Sequence, residues 1–310
     1  MAADVEVGVV VGERVAGVEP DRVGLGWRGE LAGGIFANLD RIDLVELIAD
    51  DHFKSDAKAL RPLKMLAAQI PLTLHGVAMG LAGSEAVDDK RPANMARLMD
   101  SIGVEAWSEH LAFVRAGGYE IGHLAAPPRT RAHVDAAVAH IERAARIVGT
   151  PPAMENIATL IDPPGSIMTE AEWVRGIIEG ANVPMLLDLH NLYANALNFG
   201  STPEALLRAM PLARVKSVHL SGGHWIDEPA MSDRVAGKRL LDDHIHDVPD
   251  DVFGLLETLA ALSPQPLDVI IERDGEYPDF DVLLAQLDRA REALARGRAQ
   301  RMAQPMKAAA

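Results

Sequence analysis

The sequence predicts an α/β protein built as a single (β/α)8 barrel of the TIM type. Short apolar segments alternate with helical patterns eight times along the 310 residues, as in a series of parallel βαβ units. In at least six of these repeats the apolar segment ends in a His, Asp or Glu. A closed barrel gathers the carboxyl ends of all its strands around one site, whereas a doubly wound open sheet would not.

The barrel is expected to form one domain, because no linker composition divides the chain. We place this domain at residues 23–294, after an N-terminal extension over residues 1–22. Residues 295–310 are rich in Ala, Arg and Gln and contain few apolar anchors, so we expect a disordered tail there.

Composition and charge exclude several classes of protein. The formal net charge of −15 argues against a nucleic-acid partner, because phosphate binding needs a positive surface. The absence of cysteine excludes disulfides and thiolate metal sites. No apolar segment reaches the length of a membrane span, and the N-terminus does not resemble a signal peptide. We therefore expect a cytoplasmic protein without a nucleic-acid or membrane partner.

The elements of the first half of the chain are short strands and helices followed by one well-defined helix. The strands are predicted at residues 23–27, 43–49, 72–75 and 104–107, and the helices between them around 35–39, 57–68 and 93–101. The next helix shows apolar residues at intervals of four and three, namely Val134, Val138, Ile141, Ala145 and Val148. Gly149 is expected to end it.

The second half of the chain repeats the pattern. Its strands are predicted at residues 152–154, 183–187, 215–219 and 267–271. Thr169 and Glu172 form a capping box that opens one helix, and Thr202 followed by Pro203 opens another. Residues 221–246 are predicted to be a long loop, and helices over 252–262 and 280–294 complete the barrel.

The polar groups at the strand ends predict a metal site. They are His75, His110, Glu155, Asp188, Asn191, His219 and Glu272, with Asp242 and His244 added by the loop after the seventh strand. Imidazole, carboxylate and amide ligands suit Zn, Mn or Fe. One mononuclear site needs only three or four of these residues, so the set is large enough for two or three metals that share carboxylate bridges.

Each of these residues also has a structural interpretation. A single His at a strand end is more often a hydrogen-bonded loop residue than a ligand. However, eight of the eleven His residues occupy such positions: His52, His75, His110, His190, His219, His224, His244 and His246. Their concentration favours a metal site. Glu109 is expected to point away from it, because neighbouring residues of a strand face opposite sides.

At these residues the sequence resembles a known family, the multinuclear non-haem iron-dependent oxidative enzymes. This bacterial family was formerly of unknown function and includes the oxidase of methanobactin biosynthesis. The matching phrases run in the family's order over about residues 21–290: Val45-Glu46-Leu47-Ile48-Ala49-Asp50, Leu74-His75-Gly76, Ser108-Glu109-His110-Leu111, Met154-Glu155-Asn156, Leu187-Asp188-x-x-Asn191, His219-Leu220-Ser221-Gly222, Asp242-x-His244 and Ile271-Glu272-Arg273-Asp274.

The resemblance implies a fold, a cofactor and a substrate. The fold is a TIM-like barrel similar to that of xylose isomerases. The cofactor is two or three iron ions in mixed Fe(II)/Fe(III) valence, with O2 as co-substrate. The substrate is a ribosomally made precursor peptide, often modified at cysteine during natural-product biosynthesis. A small partner protein that grips the peptide leader is also implied.

The resemblance further implies three iron positions. His75, His110 and Glu155 would hold the first. Glu155, Asp188, His219 and Glu272 would hold the second, with Glu155 as the bridge. Asn191, Asp242 and His244 would hold a third.

The sequence also departs from the family. His190 stands where a small or amide residue is usual, which makes it an additional candidate ligand of the third position. His52, His246 and Asp247 also differ from the common residues. These differences bear on the identity of the substrate more than on the fold.

Two other interpretations remain open from the residues alone. The ligand set also suits a Zn- or Mn-dependent barrel hydrolase or sugar isomerase, similar to AP endonucleases or xylose isomerases. A binding or scaffold protein would not need so complete a set. Metal content and O2 consumption distinguish the oxidase from the hydrolase or isomerase.

Overall fold

A computed structural model describes residues 20–104, 106–228 and 237–303 of the chain. Most of the predicted N-terminal extension, residues 1–19, lies outside the described residues.

The described residues form strands and helices in the predicted alternation. The strands are β1 Arg22–Gly26, β2 Val45–Ile48, β3 Leu72–Gly76, β4 Trp107–His110, β5 Phe113–Ala116, β6 Tyr119–Ala125, β7 Ala153–Glu155, β8 Met185–Asp188, β9 Val215–Leu220, β10 Gly223–Glu228, β11 Gly237–Asp242 and β12 Asp268–Ile271. The helices are α1 Ala32–Ala37, α2 Arg61–Ala67, α3 Lys90–Ile102, α4 Arg131–Val148, α5 Glu170–Gly180, α6 Leu189–Asn198, α7 Pro203–Ala209, α8 Asp250–Leu262 and α9 Phe280–Ala303.

Eight of these strands close into a parallel barrel in the order β1-β12-β9-β8-β7-β4-β3-β2. The ring closes where Val23 of β1 pairs with Val269 of β12. Strands with both faces covered need nearly continuous apolar runs, and β8 shows this clearly because all four of its residues are buried. The predicted (β/α)8 barrel is confirmed.

The parallel register brings neighbouring strand ends level with one another. His110 of β4 pairs with Glu155 of β7, and Asp188 of β8 pairs with His219 of β9. In a parallel sheet paired residues lie side by side on the same face. The register alone therefore sets these four polar side chains in one layer at the carboxyl end of the barrel.

The predicted helix ends are also found. Thr130 caps α4 through its side chain, and Gly149 ends the helix in the left-handed conformation, at φ 91°. The capping box of Thr169 and Glu172 opens α5. Thr202 caps α7, whose first residue is Pro203. No helix within the described ranges has both the length and the apolarity that a membrane crossing requires.

The prediction of a loop over residues 221–246 is wrong, because this segment contains the antiparallel hairpin β10–β11. A long-range contact holds this hairpin against α6. The side-chain amide of Asn198 donates to the Leu240 carbonyl at 3.0 Å and accepts from the Leu240 N–H at 2.8 Å. A contact between residues so far apart leaves no local pattern in the sequence.

A second hairpin, β5–β6, was not predicted. Its turn is Gly117-Gly118, and both residues have positive φ, at 58° and 79°. Two glycines between short strands are the signal for such a turn, so the sequence did carry the information.

The prediction of disorder from residue 295 onward is wrong for residues 295–303, because these residues continue helix α9. Arg298 takes the place of apolar anchors there. Its guanidinium bonds the Asp21 carboxylate at 2.7 Å and donates to the carbonyls of Ala260, Ser263 and Gln265 at 2.7–3.0 Å. Residues 304–310 of the expected tail lie outside the described residues.

Candidate metal centre

The predicted ligand residues meet at the carboxyl end of the barrel. The strand-end groups His75, His110, Glu155, Asp188, Asn191, His219 and Glu272 are all buried, with at most 8% of their surface exposed. Asp242 and His244 close the layer from the end of the β10–β11 hairpin, with side chains 15% and 17% exposed. The barrel therefore surrounds a dense group of ionisable side chains, which is costly unless each charge is balanced.

The first cluster consists of His75, His110 and Glu155. The Nε2 atoms of both imidazoles lie 3.3 Å from Glu155 Oε2 and 3.4 Å from each other. Ligand atoms bound at about 2.0–2.1 Å to one tetrahedral ion are roughly 3.3 Å apart. The three atoms thus have the mutual spacing of ligands around one ion.

The far nitrogen of each imidazole in this cluster is held by the barrel wall. His110 Nδ1 donates to the Gly76 carbonyl at 3.2 Å. His75 Nδ1 lies 2.8 Å from the Ser108 hydroxyl, which itself donates to the Leu74 carbonyl. These contacts keep the proton on Nδ1 and direct the Nε2 lone pair of each ring towards the centre, as in metal-bound histidines.

The second cluster shares Glu155 with the first. Its other oxygen, Oε1, lies 3.5 Å from His219 Nδ1, and Glu272 Oε2 lies 3.1 Å from the same nitrogen. Ligand atoms of Glu155, Asp188 and His219 also lie within 4.8 Å of one another, as do those of Asp188, His244 and Glu272. The two oxygens of Glu155 therefore face different clusters.

The candidate third position is built around Asp242. His244 Nε2 lies 2.8 Å from Asp242 Oδ2, and His190 Nδ1 lies 2.7 Å from Asp242 Oδ1. Asn191, the third predicted ligand of this position, lies at the start of α6, where its backbone N–H donates to Asp188 Oδ1 at 2.6 Å and its side-chain amide donates to the Asn156 carbonyl at 3.0 Å. His190 thus lies against a candidate ligand.

Several buried polar atoms in this region have no hydrogen-bond partner among the described residues. They are Glu46 Oε1, Glu155 Oε2, Asp188 Oδ2, Asn191 Oδ1 and both ring nitrogens of His219. Leaving a buried acceptor unsatisfied costs about 1–3 kcal/mol, and more for a charged group. Ligand atoms of Glu155, Asp188 and His219 lie within 4.8 Å of one another, so a bound cation would satisfy the unpaired atoms of these residues together. The residues present therefore fit a multinuclear metal centre.

The acid–base equilibria show how strongly these groups depend on one another. Burial, with the negative charges of Asp242 and Glu155, raises the pKa of Asp188 well above its ordinary value. Burial opposes ionisation of Glu272 too, but His219 and His244 lower its pKa well below the usual range. Burial disfavours the charged form of His110, yet the Glu155 and Glu109 carboxylates raise its pKa to about 9. Protons thus balance charge here in the absence of a cation, and cations would displace them.

Sequence reasoning missed Glu46, which lies inside the apolar strand β2 and is only 4% exposed. Its Oε1 lies 2.7 Å from His219 Nε2, on the side of the ring opposite Glu155 and Glu272. Ligand atoms of Glu46, His75 and His219 lie within 4.8 Å of one another. The signal was present in the sequence, because a carboxylate within a buried strand requires a partner.

Glu109 and three further histidines lie outside these clusters. Glu109 does point away, because its carboxylate accepts from the backbone N–H groups of Met79 and His110. His52 lines a small separate cavity with Phe53 and Arg97. His224 and His246 lie together at the rim of the centre, in contact with Asp243 rather than with the buried ligands.

A cavity of about 970 Å³ opens at the opposite, amino-terminal end of the barrel. It is lined in part by Glu46, Thr73 and Ser108. Glu46 lies against His219, and Ser108 lies against His75. TIM barrels are normally filled by side chains at this depth.

A family model described as "RiPP precursor modification enzyme MbnB/TglH/ChrH" matches residues 22–295 of the chain. RiPPs are ribosomally synthesised and post-translationally modified peptides. A UPF0276 protein of Streptomyces avermitilis is 33% identical over 282 residues, which are 87% of this chain and 54% of the relative. The chain thus spans about half the length of that relative. A UPF0276 protein of Bordetella bronchiseptica is 30% identical over 278 residues, which cover 90% of this chain and 94% of the relative.

Solved structures show the same fold at low sequence identity. An L-ribulose 3-epimerase superimposes with a TM-score of 0.58 at 14% identity, covering 93% of this chain and 99% of that structure. A D-psicose 3-epimerase from Clostridium cellulolyticum H10 gives 0.57 at 11% identity, with 90% and 99% covered. A xylose isomerase domain protein from Planctomyces limnophilus gives 0.54 at 15% identity, with 89% and 97% covered. The barrel is therefore xylose-isomerase-like, as expected.

Proposed function

The chain belongs to the MbnB/TglH/ChrH family of RiPP precursor modification enzymes, and we propose that it is a multinuclear non-haem iron enzyme that uses O2 to oxidise a ribosomally made precursor peptide at cysteine. The observation that carries this proposal is the geometry of Glu155. Its two oxygens face two separate clusters of nitrogen and oxygen ligands. A carboxylate whose two oxygens face two clusters could serve two neighbouring metal ions, as two-metal sites use them.

The ligand chemistry supports iron as the metal. All candidate ligands offer nitrogen or oxygen, the set that suits Fe(II) sites with open positions for O2. The wall contacts of His75 and His110 fix their Nε2 lone pairs towards the first position. His190 and His244 similarly hold Asp242 at the third position.

When bound, the iron ions would supply electrons to O2 and a coordination position for the substrate thiolate. The protein's own residues orient and protect this chemistry. Burial of the first and second clusters limits water around the reacting groups. The chain contains no cysteine, so it offers no thiol of its own that would compete with the substrate for the oxidant.

The proposal includes two partners, a precursor peptide and a small protein that binds its leader. The rim of the barrel carries exposed apolar side chains that support a peptide-binding surface. Tyr119 and Ile121 of the β5–β6 hairpin are 78% and 42% exposed, and Trp225 of the β10–β11 hairpin is 50% exposed. Exposed aromatic residues near a site favour partner binding. A pull-down with peptides and small proteins encoded near the gene tests this part, which fails when neither is retained.

The function is tested by combining the iron-loaded protein with candidate precursor peptides under O2. We expect O2 uptake together with a mass change in the peptide, both lost in Glu155→Gln. Protein loaded with Zn or Mn provides the comparison. If that form acts on a sugar or an ester while the iron form consumes no O2, the enzyme is a barrel isomerase or hydrolase instead.

A further inference from the structure

A separate group of ligand side chains lies on the rim, outside the buried centre. It consists of His224, Asp243 and His246, which we call the rim triad. Asp243 Oδ2 lies 2.5 Å from His224 Nδ1, and Asp243 Oδ1 lies 3.0 Å from His246 Nδ1. The two imidazole rings are 5.3 Å apart, centroid to centroid. One ligand atom from each residue lies within 4.8 Å of the other two.

The fold brings the triad together from two chain segments. His224 lies on β10, opposite Leu241 of β11. Asp243 and His246 lie on the segment that follows β11. This segment packs closely against the start of the hairpin. A Cβ added at Gly222 would come within 2.4 Å of the His246 carbonyl oxygen, so only a glycine fits there.

Backbone hydrogen bonds fix the same segment on both sides. The His244 N–H donates to the Gly222 carbonyl at 3.1 Å, and the Asp274 N–H donates to the His244 carbonyl at 2.8 Å. Asp243 is held in its own turn, since the Ile245 N–H donates to its Oδ1 at 3.1 Å. The carboxylate is therefore positioned between the imidazoles by the backbone.

We propose that the rim triad binds a divalent transition-metal cation of the zinc type, in addition to the ions of the buried centre. Two imidazoles and one carboxylate are typical ligands for such cations. Ligands of one tetrahedral ion are roughly 3.3 Å apart, so the two distances from Asp243 to the imidazoles need to widen by less than about 1 Å. The imidazoles are 44% and 43% exposed, which leaves solvent access for a fourth ligand from water.

The position of the triad gives this cation a structural effect on the centre. Asp243 lies between Asp242 and His244, two candidate ligands that face inward. Joining His224 to His246 through an ion closes the base of the hairpin at this point. The rim cation would thereby hold Asp242 in place over His190. The proposal does not depend on which metal occupies the buried centre.

The alternative is that the triad is only a hydrogen-bonded turn, in which Asp243 accepts from both imidazoles. The two interpretations differ in one measurable property, the number of cations bound per chain. The test uses the full chain with its buried centre already loaded, so that added cation reports on the remaining sites. Co²⁺ is the probe, because its visible absorption reports nitrogen and oxygen ligation, and total metal is measured by elemental analysis after dialysis.

We expect the parent chain to bind one more Co²⁺ than either His224→Ala or His246→Ala, or to bind it at least tenfold more tightly. His123→Ala is the matched control, because His123 is an exposed imidazole on the other rim hairpin. It should bind cobalt as the parent does. Circular dichroism of each variant checks that it is folded, and His246→Gln repeats the test with a side chain of similar size. Equal stoichiometry and affinity in all these proteins would overturn the proposal, as would an equal loss in His123→Ala.

Discussion

Glu46 Oε1 lies 2.7 Å from His219 Nε2, on the far side of the imidazole from the candidate metal centre. Both residues are buried, at 4% and 0% exposure. The carboxylate lies behind the ring at Nε2, while Nδ1 faces Glu155 and Glu272. A carboxylate behind a metal-bound histidine fixes the tautomer of the ring and raises its basicity.

We therefore predict that Glu46→Gln weakens metal binding at the second position. Loss of such an outer partner typically costs about 10–100-fold in metal affinity. The measurement is a competition titration of iron against a chelator, with Glu292→Gln on the exposed face of α9 as the control. An affinity equal to that of the control would show that Glu46 does not act through His219.

Glu155 and Asp188 are predicted to differ in the number of ions they hold. Glu155 faces both the first and the second cluster, whereas ligand atoms of Asp188 are grouped with those of the second cluster and not with His75 and His110. Glu155→Gln should therefore remove magnetic coupling between irons and lower the iron content at both positions. Asp188→Asn should spare the first position. Mössbauer spectra of iron-57 samples separate these outcomes, and a coupled pair that persists in Glu155→Gln contradicts the bridging role.

His190 is predicted to support the third position through Asp242. The imidazole lies 2.7 Å from Asp242 Oδ1 and is almost completely buried. With burial opposing ionisation, His244 and His190 still lower the pKa of Asp242 below its usual range. His190→Asn should thus reduce iron content by up to one ion per chain, while His133→Asn on α4 should not. Unchanged iron content in His190→Asn would exclude this support.

The metal-free protein is predicted to lose stability as the pH rises through the alkaline range. Burial opposes protonation of His110, but Glu155 and Glu109 raise its pKa to about 9, against about 6.5 for an unfolded His. A raised pKa stabilises the folded state fully below the unfolded value, and this contribution is lost as the pH rises through the folded value. The pKa of His219 and that of His244 are also raised well above the ordinary value, by neighbouring carboxylates that outweigh burial.

Thermal melts across this pH range measure the effect. The Tm of the metal-free protein should fall as the pH is raised from about 6.5 to about 9. The metal-loaded form should show a weaker dependence, because bound ions replace the protons. A Tm of the metal-free protein that is constant or rises over this range would contradict the proposed charge balance.

The sequence was sufficient to predict the barrel and the residues at its mouth, since both follow from local patterns. Apolar segments that end in His, Asp or Glu indicate strand ends, and parallel register then sets His110 beside Glu155 and Asp188 beside His219. Capping residues such as Thr169 and Gly149 act within a few residues of themselves. These features need no knowledge of the rest of the chain.

The features that were missed depend on contacts between distant residues. The β10–β11 hairpin is held by Asn198 of α6, and the last turns of α9 by the bonds of Arg298 to Asp21. Glu46 is joined to His219 only because the closed barrel turns β2 and β9 towards one axis. Local propensity contains no information on such contacts.

The measurement that tests the account most directly is the metal content of protein purified without O2 from cells grown on iron-57, together with its Mössbauer spectrum. We predict two or three irons per chain, partly ferric and magnetically coupled through Glu155. Stoichiometric zinc or manganese without iron, and no O2 uptake after iron is added back, would contradict the account and favour a hydrolase or isomerase in this barrel.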